Sequence, residues 1–535
     1  MFRIIGKRTV KEYIEQNLIQ PDKIEKRLYQ INIYKEVRDK NSLVVLPTGL
    51  GKTIIAILVL AYKLTQGKKV LFLAPTKPLC EQHASSVKNL TTLSDAEVAV
   101  VTGETYTPRK RKEIYKKARV VVATPQTIEN DIDNQLSLND YGLIIFDEVH
   151  RTVGDYAYVK IIESYRSISG SQVLGLTASP GSDFEKLKEV VVNLGIKHIE
   201  VRNEWDKDVK PYLSNRYLSW QLIEMPTSVK QVVVEIDKIL QETLLDLCRY
   251  TSQAKNLSPD KLSKKALVEI QSRMKMNLGR RGGSLFHGLS LVSAAIKLSH
   301  LKDMLTSQGV DVAKTYVSKI DRDMSRAAKR IKKHDLYPGI KKGIQETQGV
   351  QPKLEIVKKI IRSHLQMKKD ARIMVFAEYR DTIDMLAPEL NTIEGARAVR
   401  FIGQAGTENL KGMNQKEQKQ TLDEFREGTY NVLVSTSIGE EGIDIPATSL
   451  VLFYEPVPSA IRHIQRKGRT ARDGFPGEVK ILIMKDSRDE GYYWSSVRKE
   501  RKMYGYVYQL KDRLEGKKVR KRTIERQSKI SEFYT

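Results

Sequence analysis

The chain alternates short, wholly apolar runs with longer segments whose apolar residues recur at helical spacing. Leu43-Val44-Val45-Leu46 is one such run, and Ile54-Ile55-Ala56-Ile57-Leu58-Val59-Leu60 follows after a Gly-rich break. Brief runs of Leu and β-branched residues between turn signals read as strands buried on both faces, and the periodic segments as helices. Val70-Leu71-Phe72-Leu73-Ala74, Val98-Ala99-Val100-Val101, Val120-Val121-Val122-Ala123, Leu143-Ile144-Ile145-Phe146 and Val173-Leu174-Gly175-Leu176 repeat the rhythm. It predicts a parallel α/β sheet with its polar, functional loops at the carboxyl ends of the strands.

From Trp220 to about Val350 the rhythm breaks. The segment is rich in Lys, Met and Ser at helical spacing and contains Gly279-Arg280-Arg281-Gly282-Gly283. It predicts an inserted helical domain. The strand rhythm returns with Arg372-Ile373-Met374-Val375-Phe376, Asn431-Val432-Leu433-Val434 and Leu450-Val451-Leu452-Phe453-Tyr454. The expected domains are residues 1–215, an inserted helical domain at 216–350, a second α/β lobe at 351–495 and a basic tail at 496–535.

The chemistry sits at the joints. Leu46-Pro47-Thr48-Gly49-Leu50-Gly51-Lys52-Thr53 lies between a strand and a helix. Its glycines let backbone N–H groups close around phosphate oxygens, and the new helix turns its positive dipole end towards the same anion. Thr48, Gly49 and Gly51 would shape the cradle, Lys52 reach the β/γ-phosphates of ATP, and Thr53 sit on Mg²⁺. The first glycine of the general phosphate-loop pattern is Leu46 here. Asp147-Glu148-Val149-His150 ends an apolar strand, where two carboxylates are costly to bury without a cation or a proton-transfer task. Asp147 is the candidate Mg²⁺ ligand and Glu148 the base that polarises water. His150 reads as a relay to the second lobe. Gln30, beside Tyr29, is a candidate adenine reader, because an amide donates and accepts at once.

Small hydroxyl residues at other strand ends suit backbone-phosphate contacts, which nominates Thr76, Lys77, Thr102 and Thr124 as nucleic-acid contacts. Arg380, Ser435, Arg280 and Arg281 are further candidates. Gln465-Arg466-Lys467-Gly468-Arg469-Thr470-Ala471-Arg472 predicts a helix with Arg466, Arg469 and Arg472 on one face. Planar guanidinium groups there suit γ-phosphate charge, which makes Arg469 and Arg472 candidate arginine fingers.

Composition narrows the partner. The 535 residues carry 91 Lys+Arg against 65 Asp+Glu, a net +26. Residues 251–350 hold 20 basic and 8 acidic side chains, nearly half of that excess in under a fifth of the chain. Such a balance points to a polyanion, most often nucleic acid. No apolar run reaches the length of a membrane span, so the expectation is a cytoplasmic protein, nucleoid-associated if prokaryotic. Cys80 and Cys248 offer neither a disulfide framework nor a zinc cluster.

The set GLGKT, PTKPL, TPQT, DEVH and TASP resembles the first RecA-like lobe of a superfamily 2 helicase, and residues 371–472 resemble the second. With its DEVH box, helical insertion and QRKGRTAR, the chain most resembles archaeal Hef and its eukaryotic relative, the Fanconi anaemia M helicase. The resemblance implies two RecA-like parallel-sheet lobes, ATP and Mg²⁺ between them, Gly442 and Asp444 as nucleotide contacts, and 3′→5′ remodelling of branched DNA. No GDxxxERKxxxD nuclease signature occurs, so a helicase-only member is expected. RNA sensors and Dicer helicases share this architecture, which keeps a double-stranded RNA translocase open. A low-turnover scaffold that grips forks is the other alternative.

The last residues, from Gln527 to Thr535, resemble the peptide that docks the sliding clamp (PCNA). In a single 3₁₀ turn Ile530, Phe533 and Tyr534 would form one apolar plug, with Gln527 capping the peptide.

Overall fold

The computed structural model describes residues 12–134, 136–213, 216–260, 262–276, 283–347, 351–368, 370–404, 412–440, 445–471 and 476–517. The apolar runs form two sheets. The first contains β1 (Ser42–Val45), β2 (Lys69–Leu73), β3 (Val98–Val101), β4 (Val120–Ala123), β5 (Tyr141–Asp147), β6 (Val173–Thr177) and β7 (His198–Val201). Its order is β3-β4-β2-β5-β6-β1-β7, with every pairing parallel. The second contains β8 (Arg216–Ile223), β9 (Ile373–Phe376), β10 (Ala398–Phe401), β11 (Val432–Ser435), β12 (Leu450–Phe453) and β13 (Gly477–Met484). Its order is β10-β11-β9-β12-β13-β8, again parallel throughout.

Helices cover both faces of each sheet, so alternate residues of one strand enter different cores. Val44, Val70, Phe72, Leu143 and Ile145 lie in one cluster of the first lobe. Leu43, Val45, Leu71, Ile144 and Phe146 lie in the other. In the second lobe Met374, Phe376, Val451 and Phe453 share a cluster on one face.

The opposite face joins the insertion. Ile373, Val375, Leu450 and Leu452 belong to the same buried cluster as Ile236, Leu240, Leu291, Ala295 and Leu298 of the insertion helices. The helices Thr227–Leu247, Lys264–Met276, Gly283–Asp303 and Val310–Arg322 therefore share a core with lobe two. Two expected boundaries change. Residues 216–223, assigned from the sequence to the insertion, form β8 and pair along their whole length with β13. Exposed residues alternate with half-buried ones along most of β8, unlike the wholly apolar runs of the inner strands, so its pattern did not announce a strand of this sheet.

The expected tail is also shorter. A helix runs from Arg488 to Leu514 and returns to lobe one. Val507 and Leu510 are buried in the lobe-one core, and Lys511 Nζ lies 2.9 Å from Glu200 Oε1 beside β7. Its basic residues cover an apolar stripe, so the lobes are joined by packing as well as by chain. The clamp-like residues Gln527, Ile530, Phe533 and Tyr534 lie outside the described residues.

One ion pair fastens this helix to the residues that follow the insertion. Lys353 and Asp489 are almost fully buried, with Nζ and Oδ2 2.6 Å apart. Lys353 Nζ also donates to Ser307 O at 2.8 Å, within the π-helical turn Met304–Gln308. Breaking a buried pair strands one charge, which costs about 3–5 kcal/mol, whereas replacing both partners with apolar groups can be neutral. Lys353→Met is therefore expected to lower the thermal unfolding midpoint markedly, and Lys353→Met with Asp489→Leu to recover much of it. Equal midpoints for the single variant and the parent, read by calorimetry, would remove this pair as a fastening.

Candidate active site and nucleic-acid cleft

The phosphate loop follows β1, and its shape is held from behind. Tyr29 hydroxyl and Gln30 Nε2 donate to Leu50 O at 2.7 and 3.1 Å. Gly49 and Gly51 have φ of +84° and +77°, the left-handed region that favours glycine. A Cβ on Gly51 would stand 2.4 Å from Gln30 Nε2, so a larger residue would displace the amide that holds the loop. Lys52 opens the following helix, and its Nζ donates to Leu46 O at 3.2 Å across the loop. Gln30 is buried and its amide nitrogen serves the loop, a second task beside the adenine contact expected of it.

At the end of β5, Asp147 is buried and both carboxylate oxygens are engaged. Oδ2 meets His83 Nε2 at 2.9 Å, and Oδ1 accepts from Glu148 N at 3.0 Å. Burial pushes this carboxyl up, but the His83 bond and the Lys52 charge outweigh it and hold the group below its ordinary value. Glu148 adopts φ 51° and ψ 50°, a backbone region uncommon for non-glycine residues. Strain of this kind, of order 1–3 kcal/mol, gathers where a site over-determines a residue. His150 Nδ1 stands 3.3 Å from Glu148 Oε2, and neither atom has a hydrogen-bond partner among the described residues.

Lobe two closes directly on the phosphate loop. A Cβ on Gly468 would lie 1.7 Å from Thr48 Oγ1, so glycine there permits the approach. The helix expected through Arg472 instead ends at Lys467, with Gly468 as its C-cap. Arg466 lies on it, Arg469 does not, and the shared face predicted from spacing is corrected accordingly. The physical reason is the glycine, which lets the chain leave the helix against lobe one. Arg469 Nη2 donates to Glu440 O at 2.6 Å. Arg472, Gly442 and Asp444 lie outside the described residues, as do Arg280 and Arg281.

Behind this edge sits an ionic quartet. Arg462 donates to both oxygens of Glu378 at 3.0 and 2.8 Å and to Glu440 Oε2 at 2.7 Å. Arg466, with no exposed surface, donates from Nε to Glu440 Oε1 at 2.7 Å and lies over the Phe376 and Phe453 rings. The backbone N–H of Glu378 donates to Glu455, whose carboxyl burial pushes up to about 7. The quartet binds β9, β11 and the helix Ala460–Lys467 into one unit.

A cleft of about 450 Å³ opens between the lobes beside Glu148. Thr76 and Arg380, two of the candidate nucleic-acid contacts, line it with Arg151, Glu378, Thr436 and Ser437, which the sequence pattern did not nominate. Ser435 is buried and donates to Thr436 O, so the cleft-facing residues are the next two along. Lys77 pairs with Glu104 at 2.8 Å. Thr124 caps a helix and bonds Thr127 at 2.8 Å, and Thr102 is buried against Thr105. These are local tasks that a strand-end pattern does not distinguish from ligand contacts.

The left-handed glycines, Lys52, the ionised Asp147 and a second carboxylate at the closing edge of another lobe fit a nucleoside triphosphate with a divalent cation. The fold and site define a two-lobed, RecA-like nucleotide-driven motor. Residues 23–182 match the model of the type III restriction enzyme res subunit, and residues 352–474 that of the helicase conserved C-terminal domain. The crystal structure of the Pyrococcus furiosus Hef helicase domain is 41% identical, with a TM-score of 0.70, over 90% of this chain and 100% of that one. A Methanocaldococcus jannaschii protein with a provisional name as an ATP-dependent RNA helicase is 42% identical over 92% of this chain and 62% of its own length. The ATP-dependent DNA helicase mph1 of Neurospora crassa is 32% identical over 87% of this chain and 41% of its own. The chain thus spans less than two thirds of these curated relatives. It belongs to the Hef and Fanconi anaemia M family of superfamily 2 helicases. Among the described residues no helix is long and apolar enough to cross a membrane.

The quartet makes a pH-dependent prediction. Burial raises the Glu378 carboxyl, but the Arg462 bonds outweigh it and leave the pKa below 4.5. A depressed carboxylate stabilises the fold above its unfolded value, and that contribution fades as pH falls through the folded value. Arg462→Met is expected to cost about 1–3 kcal/mol near neutral pH, because it strands a half-buried carboxylate. The deficit should narrow as pH falls from the ordinary carboxylate range through the lower folded value of Glu378, below which the group is protonated in both states. Thermal unfolding of both proteins across this range checks the sign; a deficit that widens with acid contradicts the assignment.

Proposed function

We propose that this protein is an ATP-dependent helicase or translocase that remodels branched, fork-like DNA. The observation that carries the reading is one interlobe edge where Thr48 of the phosphate loop meets Gly468 of lobe two, and Glu148 faces Thr436 and Ser437 of lobe two. The cleft that would take the nucleic-acid strand opens beside the same Glu148.

Lys52 and the backbone of residues 48–53 hold the phosphates of ATP, and Asp147 and Thr53 hold Mg²⁺. The metal neutralises phosphate charge and orients the γ-phosphate. Glu148 accepts the proton of the attacking water. Arg469 and Arg472 approach from lobe two, so closure completes the site, and each opening and closure advances the strand along the cleft, 3′→5′. Thr76, Arg380, Thr436 and Ser437 hold that strand, while the insertion, through Arg280 and Arg281, grips the branch. The domain assignment follows: lobe one, lobe two with β8 and the fused insertion, and a basic terminal segment.

Both DNA and RNA appear in the names of the relatives. Turnover should rise most with forked DNA, less with single strands and least with duplex RNA. Glu148→Gln should keep Mg²⁺-ATP binding and nearly abolish hydrolysis, since an amide takes no proton. Arg280→Ala with Arg281→Ala should weaken fork preference and lower the salt slope of binding by about 0.9 for each phosphate no longer neutralised. Strongest stimulation by duplex RNA would select the RNA translocase. Binding to forks without stimulated turnover would select the scaffold.

The terminal segment supports a second contact, with a sliding clamp. Burial of Ile530, Phe533 and Tyr534 at roughly 25 cal/mol per Å², less the ordering cost, suits a reversible tether in the micromolar range. Calorimetry of a peptide spanning residues 520–535 against the clamp should show heat that Phe533→Ala with Tyr534→Ala removes. No heat at high micromolar concentration would leave the segment with its basic charge alone.

A further inference from the structure

His83 has no part in the chemistry so far, yet it makes the only side-chain hydrogen bond described to the Asp147 carboxylate. It lies midway along the helix Lys77–Leu90 and is 5% exposed. Its ring stacks on Phe72 of β2, with centroids 4.3 Å apart and planes 21° from parallel. Phe72 is itself fully buried in the lobe-one core, so the imidazole plane is fixed by packing. An ionised carboxylate only accepts, so the ring donates from Nε2 to Oδ2. Nδ1 is buried without a hydrogen-bond partner. A core histidine placed for packing alone commonly satisfies both nitrogens, whereas this one directs its single bond at the proposed metal ligand.

Carboxylate rotation is the freedom at stake. The χ2 torsion of aspartate is broad and roughly two-fold, so backbone position alone leaves the two oxygens poorly fixed. The Glu148 N–H fixes Oδ1 and His83 fixes Oδ2, at 3.0 and 2.9 Å. Together they set the carboxylate plane before any cation arrives. Partners of this outer kind, when removed, typically cost about 10–100-fold in metal affinity or activity.

We propose that His83 is a positioning residue for the Mg²⁺ that accompanies ATP, acting through the Asp147 carboxylate. This rests on the proposed function, which places Mg²⁺ on Asp147. The bond presets the ligand plane, so its loss raises the Mg²⁺ concentration needed without changing the phosphate loop itself.

The test is a Mg²⁺ titration of fluorescent ATP-analogue binding to the full chain, with a parallel series in EDTA. His83→Phe preserves the flat ring against Phe72 and removes the donor. It is expected to raise the half-saturating Mg²⁺ concentration about 10–100-fold, while metal-free nucleotide binding stays near that of the parent. His83→Gln, whose amide nitrogen reaches about as far as Nε2, should recover most of the loss. His83→Asn is too short to do so. If His83→Phe does not fold, the proposal still requires a lower Mg²⁺ demand for Gln than for Asn. An unchanged Mg²⁺ demand in folded His83→Phe overturns it, as does equal demand for Gln and Asn. Failure of the parent to bind the analogue at any Mg²⁺ concentration overturns the function itself, and so is told apart from failure of the inference.

Discussion

A parallel sheet satisfies its backbone only sideways, and its crossover connections place helices on both faces. That leaves the strand ends as the places where polar groups can stand without being buried on two sides. Leu43 to Val45 and Tyr141 to Phe146 are buried at every position, and the strand ends that follow carry the phosphate loop and the acidic pair, Asp147 and Glu148. The same constraint in the second sheet puts Thr436 and Ser437 beyond β11 and Glu378 beyond β9. When the two sheets face each other, these edges meet, and the site exists only there.

How the edges are held differs between lobes. In lobe one the phosphate loop is supported by neutral donors, Tyr29 and Gln30, and by two left-handed glycines, Gly49 and Gly51. In lobe two the supporting elements are charged. Arg466 carries its guanidinium with no exposed surface, balanced by Glu440 and by two aromatic faces. Burying such charges adds little net stability, because desolvation offsets most of the attraction. What it supplies is orientation: the Arg462 fork bound to both oxygens of Glu378 has one geometry, and Arg466 and Arg469 follow on the same segment.

The helix Arg488–Leu514 makes the lobes interdependent. Its first turn is tied to the insertion through Lys353, and Arg488 pairs with Asp303 at 2.8 Å. Its middle meets lobe two through Glu500 and Lys467, and its end lies in the lobe-one core. A movement that opens the interlobe edge must act against these contacts, so the insertion and the nucleotide edge share one mechanical frame.

The local pattern alone determined much of this protein. Buried strands announce themselves as short apolar runs, and the phosphate loop and acidic pair announce themselves by residue types that a strand end has no other use for. Those signals are contiguous in the chain, so Lys52, Asp147 and Glu148 were legible at once. The tertiary structure decided what depends on partners distant in sequence. Residues 216–223 are a strand because β13 offers its edge, and the segment after Ser487 is an ordered helix because lobe one covers Val507 and Leu510. Arg469 leaves the helix because Gly468 meets Thr48 from the other lobe, an approach that spacing by three could not reveal. His83 and Asp147 lie 64 positions apart, and only packing on Phe72 brings the ring to the carboxylate.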